Sequence, residues 1–156
     1  ATLQQLNPDC TLELVDHRLD EKELAAQVAR ADVVLDCSDN FATRFAINGA
    51  CVAHRTPLVS GAAIRWEGQV AVFSGRPCYH CLYAESGEPE DTCSSNGVLA
   101  PVVGNIGSIQ AVEAIKVITM AGKPLYGRLL LMDALSMEWR SMKLNPDPGC
   151  PVCAHG

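Results

Sequence analysis

Four cysteines in this sequence are spaced as two identical pairs. One pair lies in PCYHC at residues 77–81, and the other lies in GCPVC at residues 149–153. Two Cys-x-x-Cys turns offer four thiolates for a tetrahedral site, an arrangement that Zn²⁺ favours. Because 68 residues separate the pairs, they can meet only after folding, and a metal would then fasten the C-terminal end to the middle of the chain. We predict a structural zinc site at Cys78, Cys81, Cys150 and Cys153.

Other uses of the cysteines stay open at this point. A redox Cys-x-x-Cys needs one pair at a helix start within its own βαβ unit, and the spacing could also be incidental. Cys93 lies in the polar segment EPEDTCSSNG, where we expect an exposed thiol whose acidic neighbours disfavour the reactive thiolate. Cys37 and Cys51 lie in apolar surroundings, so we expect both of them in the core.

A second chemical centre is LDCSDNFATR at residues 35–44. Here an apolar strand is predicted to end just before a helix begins, and ligands of open α/β sheets bind at such strand ends. Asp39 can hold Mg²⁺ against a nucleotide triphosphate, Asn40 belongs to the same turn, and Arg44 can neutralise phosphate. The simpler alternative is that Asp39 and Asn40 only cap the following helix.

Composition limits the classes of protein to which the chain can belong. Its 156 residues are 48% hydrophobic and 19% charged, which is typical of one globular domain. The net charge of −6 argues against binding to nucleic acids or acidic membranes. No apolar run of about 18 residues and no signal peptide is evident. We therefore expect a cytoplasmic protein with reduced cysteines.

The order of the predicted elements indicates an α/β fold. Strands buried on both faces alternate with helices in the first half, and a long apolar helix precedes two strands joined by a tight turn. We predict a Rossmann-like mixed sheet, parallel early and antiparallel late, in a single domain over residues 1–156. The predicted strands cover residues 11–19, 32–38, 56–64, 67–75, 127–135 and 138–144, and the predicted helices cover residues 19–31, 41–55 and 101–122.

Several of these motifs occur together in an order that resembles one known family. VVLDCSDNFATR, TPLVSGAAIRWEGQVAVF, CYHCL, GVLAPVVGNIGSIQAVEAIK and GCPVC follow one another, as in the ThiF/MoeB/HesA family of ubiquitin-activating-enzyme relatives. The resemblance implies ATP- and Mg²⁺-dependent adenylation of the C-terminal glycine of a ubiquitin-like sulfur-carrier protein, in molybdopterin or thiamin-type biosynthesis. It also implies a homodimer.

The resemblance assigns roles to individual residues. It makes Asp39 the Mg²⁺ and ATP ligand, places Asn40 in the same nucleotide segment, and gives the four paired cysteines to zinc. Cys93 matches a position that bonds covalently to the carrier or to a sulfur intermediate in some members. The glycine-rich nucleotide loop of the family has no match here, so the chain resembles the C-terminal portion of such an enzyme. A zinc-stapled, non-catalytic carrier-binding module is the first alternative, and a nicotinamide-dependent oxidoreductase is the second.

Overall fold

The computed structural model of the protein describes residues 2–83 and 97–154. Five helices and five strands lie in these ranges. The helices are α1 (Thr2–Leu6), α2 (Glu21–Arg30), α3 (Phe41–His54), α4 (Tyr79–Leu82) and α5 (Ala100–Thr119). The strands are β1 (Val34–Asp36), β2 (Leu58–Ile64), β3 (Glu67–Phe73), β4 (Arg128–Asp133) and β5 (Glu138–Lys143).

The five strands form one mixed sheet in the order β1-β2-β3-β4-β5. β1 pairs with β2 in parallel, and the three following pairings are antiparallel. The parallel pair is connected through α3, whereas tight turns join β2 to β3 and β4 to β5. The prediction of a sheet that is parallel early and antiparallel late is confirmed.

Helices cover both faces of the sheet, because successive strand residues point to opposite sides. Val59, Val70 and Val72 pack against α5 on one face. Leu58 and Phe73 pack with residues of α2, α3 and α4 on the other face. Each face of the sheet thus has its own apolar cluster that holds the helices against it.

Side-chain caps fix where α2 and α3 begin. Asp20 and Glu23 form a capping box in which each side chain accepts a hydrogen bond from the other residue's backbone N–H. The Oδ1 atom of Asn40 accepts a hydrogen bond from the Thr43 N–H at 2.8 Å. Since Asn40 alone provides this cap, Asp39 is not required for it.

The long helix α5 corrects the expectation that the chain has no apolar run long enough to cross a membrane. Its 20 residues are apolar and long enough to cross a membrane, judged by length and composition only. One side of the helix is nevertheless buried on the sheet, including Val102 and Ile106, and the polar side chains of Gln110 and Glu113 are also buried there. The other side carries exposed Val112, Ile115 and Ile118.

The N-terminal segment differs most from the prediction. Residues 11–19 form no strand, and within the described ranges no strand lies beside them. Their alternating pattern predicts a strand, but a strand needs a backbone hydrogen-bonding partner, and pattern alone does not provide one. The short helices α1 and α4 were not predicted, because isolated helical turns leave little periodicity to detect.

Candidate functional site

The four paired cysteines come together as predicted. Their sulfur atoms all lie within 4.8 Å of one another, with Cys78 and Cys150 3.7 Å apart and Cys81 and Cys153 3.4 Å apart. A disulfide needs about 2.05 Å, whereas two sulfurs of a tetrahedral zinc site with bonds of about 2.3 Å are about 3.8 Å apart. The donor set and its spacing therefore fit a zinc ion.

Burial and backbone hydrogen bonds act in opposite directions on these thiols. Burial raises the pKa of Cys78 and of Cys153 because it disfavours the charged thiolate. At Cys150 burial acts in the same sense, but hydrogen bonds from the backbone N–H groups of Cys153 and Val152 and from the side chains of Cys153 and Cys78 together outweigh it and lower the pKa to about 7. Such N–H groups, directed at sulfur by the second turn, are what a thiolate ligand requires.

The segment around Asp39 is held in a turn at the end of β1. Asp36 is 1% exposed, and its Oδ1 atom accepts hydrogen bonds from the backbone N–H and the hydroxyl of Ser38, at 2.9 and 2.6 Å. Asn40 then caps α3. Asp39 lies between these two anchors with its side chain exposed, so its carboxylate faces outward at a strand end.

Arg44 anchors this turn from α3. The residue is 8% exposed, and its Nη2 group donates a hydrogen bond to the Ser38 carbonyl at 2.6 Å. Nη1 lies 3.5 Å from the hydroxyl of Tyr79. We expected Arg44 to neutralise phosphate, and that role stays a prediction. Arg44 lines a cavity beside this turn, and its guanidinium bonds to the turn that presents Asp39.

Gln110 anchors the turn from the opposite face of the sheet. Its Nε2 group donates to the carbonyls of Asp36 and Val59, at 2.8 and 3.2 Å, and thereby joins α5 to the two parallel strands. The Cys37 thiol lies 3.5 Å from the Gln110 Oε1 atom. The amide occupies the space that a side chain on Gly61 would need, since a Cβ there would lie 2.2 Å from Gln110 Cδ.

A cavity of about 510 Å³ opens beside Asp39. It is bounded by the start of α3, by the last residues of β2 and β4, and by the first residues of β3 and β5. The Tyr83 side chain forms another wall and donates a hydrogen bond to Gln69 Oε1 at 2.8 Å. Carboxylates from three adjacent strands border the cavity, at Glu67, Asp133 and Glu138, and Arg140 pairs with Glu138 at 2.8 Å.

The structure brings Asp39, Asn40 and Arg44 to this one cavity, whereas Cys93 lies outside the described residues. Cys51 is buried as expected, and burial together with the charge of Asp36 raises its pKa to about 12. Cys37 is exposed, contrary to our expectation, because β1 is the first strand of the sheet and is not fully covered.

Sequence reasoning missed three polar residues that hold these sites together, namely Asn48, Tyr79 and Gln110. Asn48 and Gln110 are polar residues within otherwise apolar helical segments. That is the available signal, because a buried polar side chain must find a hydrogen-bond partner. The sequence does not say which partner it finds.

Comparison with known proteins gives concordant results. A model described as the ThiF family matches residues 1–152. The Molybdopterin-synthase adenylyltransferase of Escherichia coli (strain K12) is 49% identical over 154 residues, which are 97% of this chain and 62% of that protein. The Sulfur carrier protein ThiS adenylyltransferase of the same organism is 48% identical over 154 residues, with coverages of 97% and 61%. The chain thus spans about three-fifths of the length of these relatives.

A solved structure shows the same fold at low sequence similarity. The crystal structure of E. coli MccB with ATP matches with a TM-score of 0.77 and 20% identity, covering 97% of this chain and 48% of that chain. The mixed sheet, the clustered cysteines and the family match over nearly the whole chain agree with one another. The chain belongs to the ThiF family.

Proposed function

We propose that this chain is the C-terminal portion of an enzyme that uses ATP to adenylate the C-terminal glycine of a ubiquitin-like sulfur-carrier protein. The observation that carries the proposal is the exposed carboxylate of Asp39, which is held at a strand end beside a cavity large enough for an extended peptide. The names of the relatives, which include adenylyltransferases for molybdopterin synthase and for ThiS, support the same reaction.

The cavity suits the flexible tail of a carrier. It runs along strand ends and lies next to the turn 36–40, so a tail in it would bring its terminal carboxylate towards Asp39. Its walls combine apolar groups, such as Phe41 and Leu131, with the polar side chain of Gln69. Positioning of this kind accounts for a large share of catalysis when two reactants must meet in line.

The proposed reaction needs no proton transfer by the protein. The glycine carboxylate that attacks the α-phosphate is already ionised at neutral pH, so no general base is needed. Mg²⁺ would reduce the repulsion between the two anions and stabilise the departing pyrophosphate. Asp39 is the residue that we assign to holding that ion, with Asn40 in the same nucleotide segment. Arg44 keeps the turn in place through Ser38.

We further propose that the natural protein has an upstream segment that supplies the glycine-rich nucleotide loop. No Gly-x-Gly-x-x-Gly sequence occurs in this chain, while the family resemblance implies one. Such a segment would also lie beside β1, where Leu35 is 42% exposed. A covalent bond between Cys93 and the carrier, or a sulfur intermediate, is also a proposal, because it rests on the family resemblance alone.

Zinc is the metal that we propose for the four cysteines, in a structural role, because all four coordination positions would be filled by protein.

We propose a homodimer formed through α5, whose exposed side carries Val112, Ile115 and Ile118. Sedimentation of the natural protein tests this. No disulfide joins the seven cysteines of the described ranges, which suits a reducing compartment, and we propose that the protein is cytoplasmic.

Exchange of labelled pyrophosphate into ATP tests the proposed reaction directly. The natural, full-length protein should catalyse the exchange only when the carrier protein is present. Asp39→Ala should lower the rate by about a hundredfold or more, the loss typical for a group that stabilises transition-state charge. Asp32→Ala is the matched control, because Asp32 is exposed and precedes the opposite end of the same strand.

Two other outcomes would overturn the proposal. Near-normal exchange by a folded Asp39→Ala variant would reduce Asp39 to a surface residue of the turn. Tight binding of the carrier without any exchange would instead favour the alternative of a zinc-stapled, non-catalytic binding module. That alternative is considered because this chain lacks a glycine-rich loop.

A further inference from the structure

The buried side chain of Asn48 has one half of its hydrogen-bonding capacity fixed and the other half unused. Its Oδ1 atom accepts a hydrogen bond from the Tyr79 backbone N–H at 2.9 Å. Because only the oxygen can accept from an N–H group, this bond also decides where the amino group points. Asn48 is 0% exposed, and its Nδ2 atom has no hydrogen-bond partner of normal geometry among the residues that the structure describes.

Asn48 is bonded to the first cysteine turn, so its unused amino group lies close to the cysteine cluster. Tyr79, which fixes the amide, lies between Cys78 and Cys81 in the first cysteine turn. One turn further along α3, Val52 packs against the same cluster. The donor of Asn48 is therefore available to Cys78 once that sulfur becomes a stronger acceptor.

We propose that Asn48 is an outer-sphere ligand of the metal, with its Nδ2–H group donating a hydrogen bond to the Cys78 sulfur when the four-cysteine site is loaded. The inference rests on the zinc site of the proposed function, but not on the adenylation reaction. A metal-bound thiolate keeps negative charge in a buried place and accepts hydrogen bonds from donors around it. Asn48 meets this need and also satisfies an amino group that would otherwise stay buried and unpaired.

The same bond would connect the metal to the turn that carries Asp39. Arg44 and Asn48 are four residues apart on α3 and share one face of the helix. Arg44 bonds to the Ser38 carbonyl, and Asn48 bonds to the first cysteine turn. Metal loading would thus fix α3 at its middle, and the helix would fix the turn at its beginning.

Two substitutions at Asn48 separate a donor from a mere acceptor. Asn48→Asp keeps an oxygen for the Tyr79 N–H but replaces the donor with an anionic oxygen. Asn48→Ala removes both functions without adding charge. If Asn48 donates to the thiolate, metal affinity should fall in the order wild type, Ala, Asp, with a loss of about tenfold to hundredfold for Asp. If it only accepts from Tyr79, Asp should resemble wild type and Ala should be weakest.

Affinity is measured on the full-length, reduced protein by zinc competition with a chromophoric chelator. Asn105→Asp is the matched control for added charge, because Asn105 is exposed on α5, and it should bind zinc like wild type. In the cobalt-loaded protein, loss of the donor should move the sulfur-to-metal charge-transfer band of both Asn48 variants to longer wavelength. The proposal would be overturned if the band did not move and if Asn48→Asp bound zinc like wild type while Asn48→Ala bound it most weakly.

A measurement on the wild-type protein covers the case in which the variants do not fold. The protein is loaded with an NMR-active cadmium isotope and labelled at asparagine side chains. A scalar coupling between cadmium and the Asn48 amide protons is expected across the hydrogen bond, and its absence would contradict the proposal. Since no step uses ATP or a carrier, failure here leaves the pyrophosphate-exchange test untouched.

Discussion

Gly61 is expected to be sensitive to a single methyl group. A Cβ built on this glycine would lie 2.2 to 2.7 Å from the three terminal atoms of the Gln110 side chain. A flexible side chain can usually move away from such a clash at little cost. Gln110 cannot do so freely, because its amide donates to Asp36 O and Val59 O inside the core. The cost of Gly61→Ala is therefore mainly the cost of the hydrogen bonds that Gln110 must give up.

The magnitude follows from those two bonds. A buried polar group that loses its partner costs about 1–3 kcal/mol, and the two carbonyls belong to β1 and β2, where ladder hydrogen bonds partly satisfy them. Taking about 1 kcal/mol for each and about 1–2 kcal/mol for overpacking, Gly61→Ala should destabilise the protein by about 3–4 kcal/mol. That corresponds to a decrease in melting temperature of about 6–16 °C for a protein of this size.

The assay is a double-mutant cycle on the natural, full-length protein, followed by denaturant unfolding. Gln110→Ala alone should cost about 2–3 kcal/mol, because it removes the same hydrogen bonds and leaves a cavity. Adding Gly61→Ala to that variant should then cost little, since the new methyl group enters the vacated space. A coupling energy of about 3 kcal/mol is expected, which is the cost of Gly61→Ala in the wild type less its small cost in the Gln110→Ala variant. Additive costs, or a loss below about 0.5 kcal/mol for Gly61→Ala, would refute the reasoning.

Two further expectations concern cysteines. Cys150→Ser, or removal of metal with a chelator, should lower the melting temperature and speed amide hydrogen exchange in residues 37–43. The reason is that the cluster holds α3 through the first cysteine turn. If exchange changes only near residues 149–153, the cluster acts locally. Cys93→Ala should leave carrier-dependent pyrophosphate exchange within about twofold of wild type and impair, if anything, the later sulfur transfer. A large loss in the exchange assay would place this thiol in the first step.

Local sequence was sufficient for the parts of the protein that local chemistry specifies. The paired Cys-x-x-Cys turns predicted a four-sulfur cluster, and the structure brings those sulfurs within 4.8 Å of one another. The apolar run before Asp39 predicted a strand end, and the strand β1 stops three residues earlier, at Asp36. Helix caps, turn residues and strand alternation act over a few neighbouring residues, so they can be recognised without knowing the fold.

Only the tertiary structure decided which distant groups meet. The pattern in residues 11–19 suggested a strand, but strand formation depends on a hydrogen-bonding partner from elsewhere. Gln110 joins Asp36 of β1 to Val59 of β2 only because Gly61 lacks a side chain at the place where α5 crosses the sheet. Asn48 reaches the first cysteine turn for a similar reason, since α3 and α4 pack together. Each of these contacts links residues far apart in the chain, and their geometry is set by packing of the whole core rather than by any local pattern.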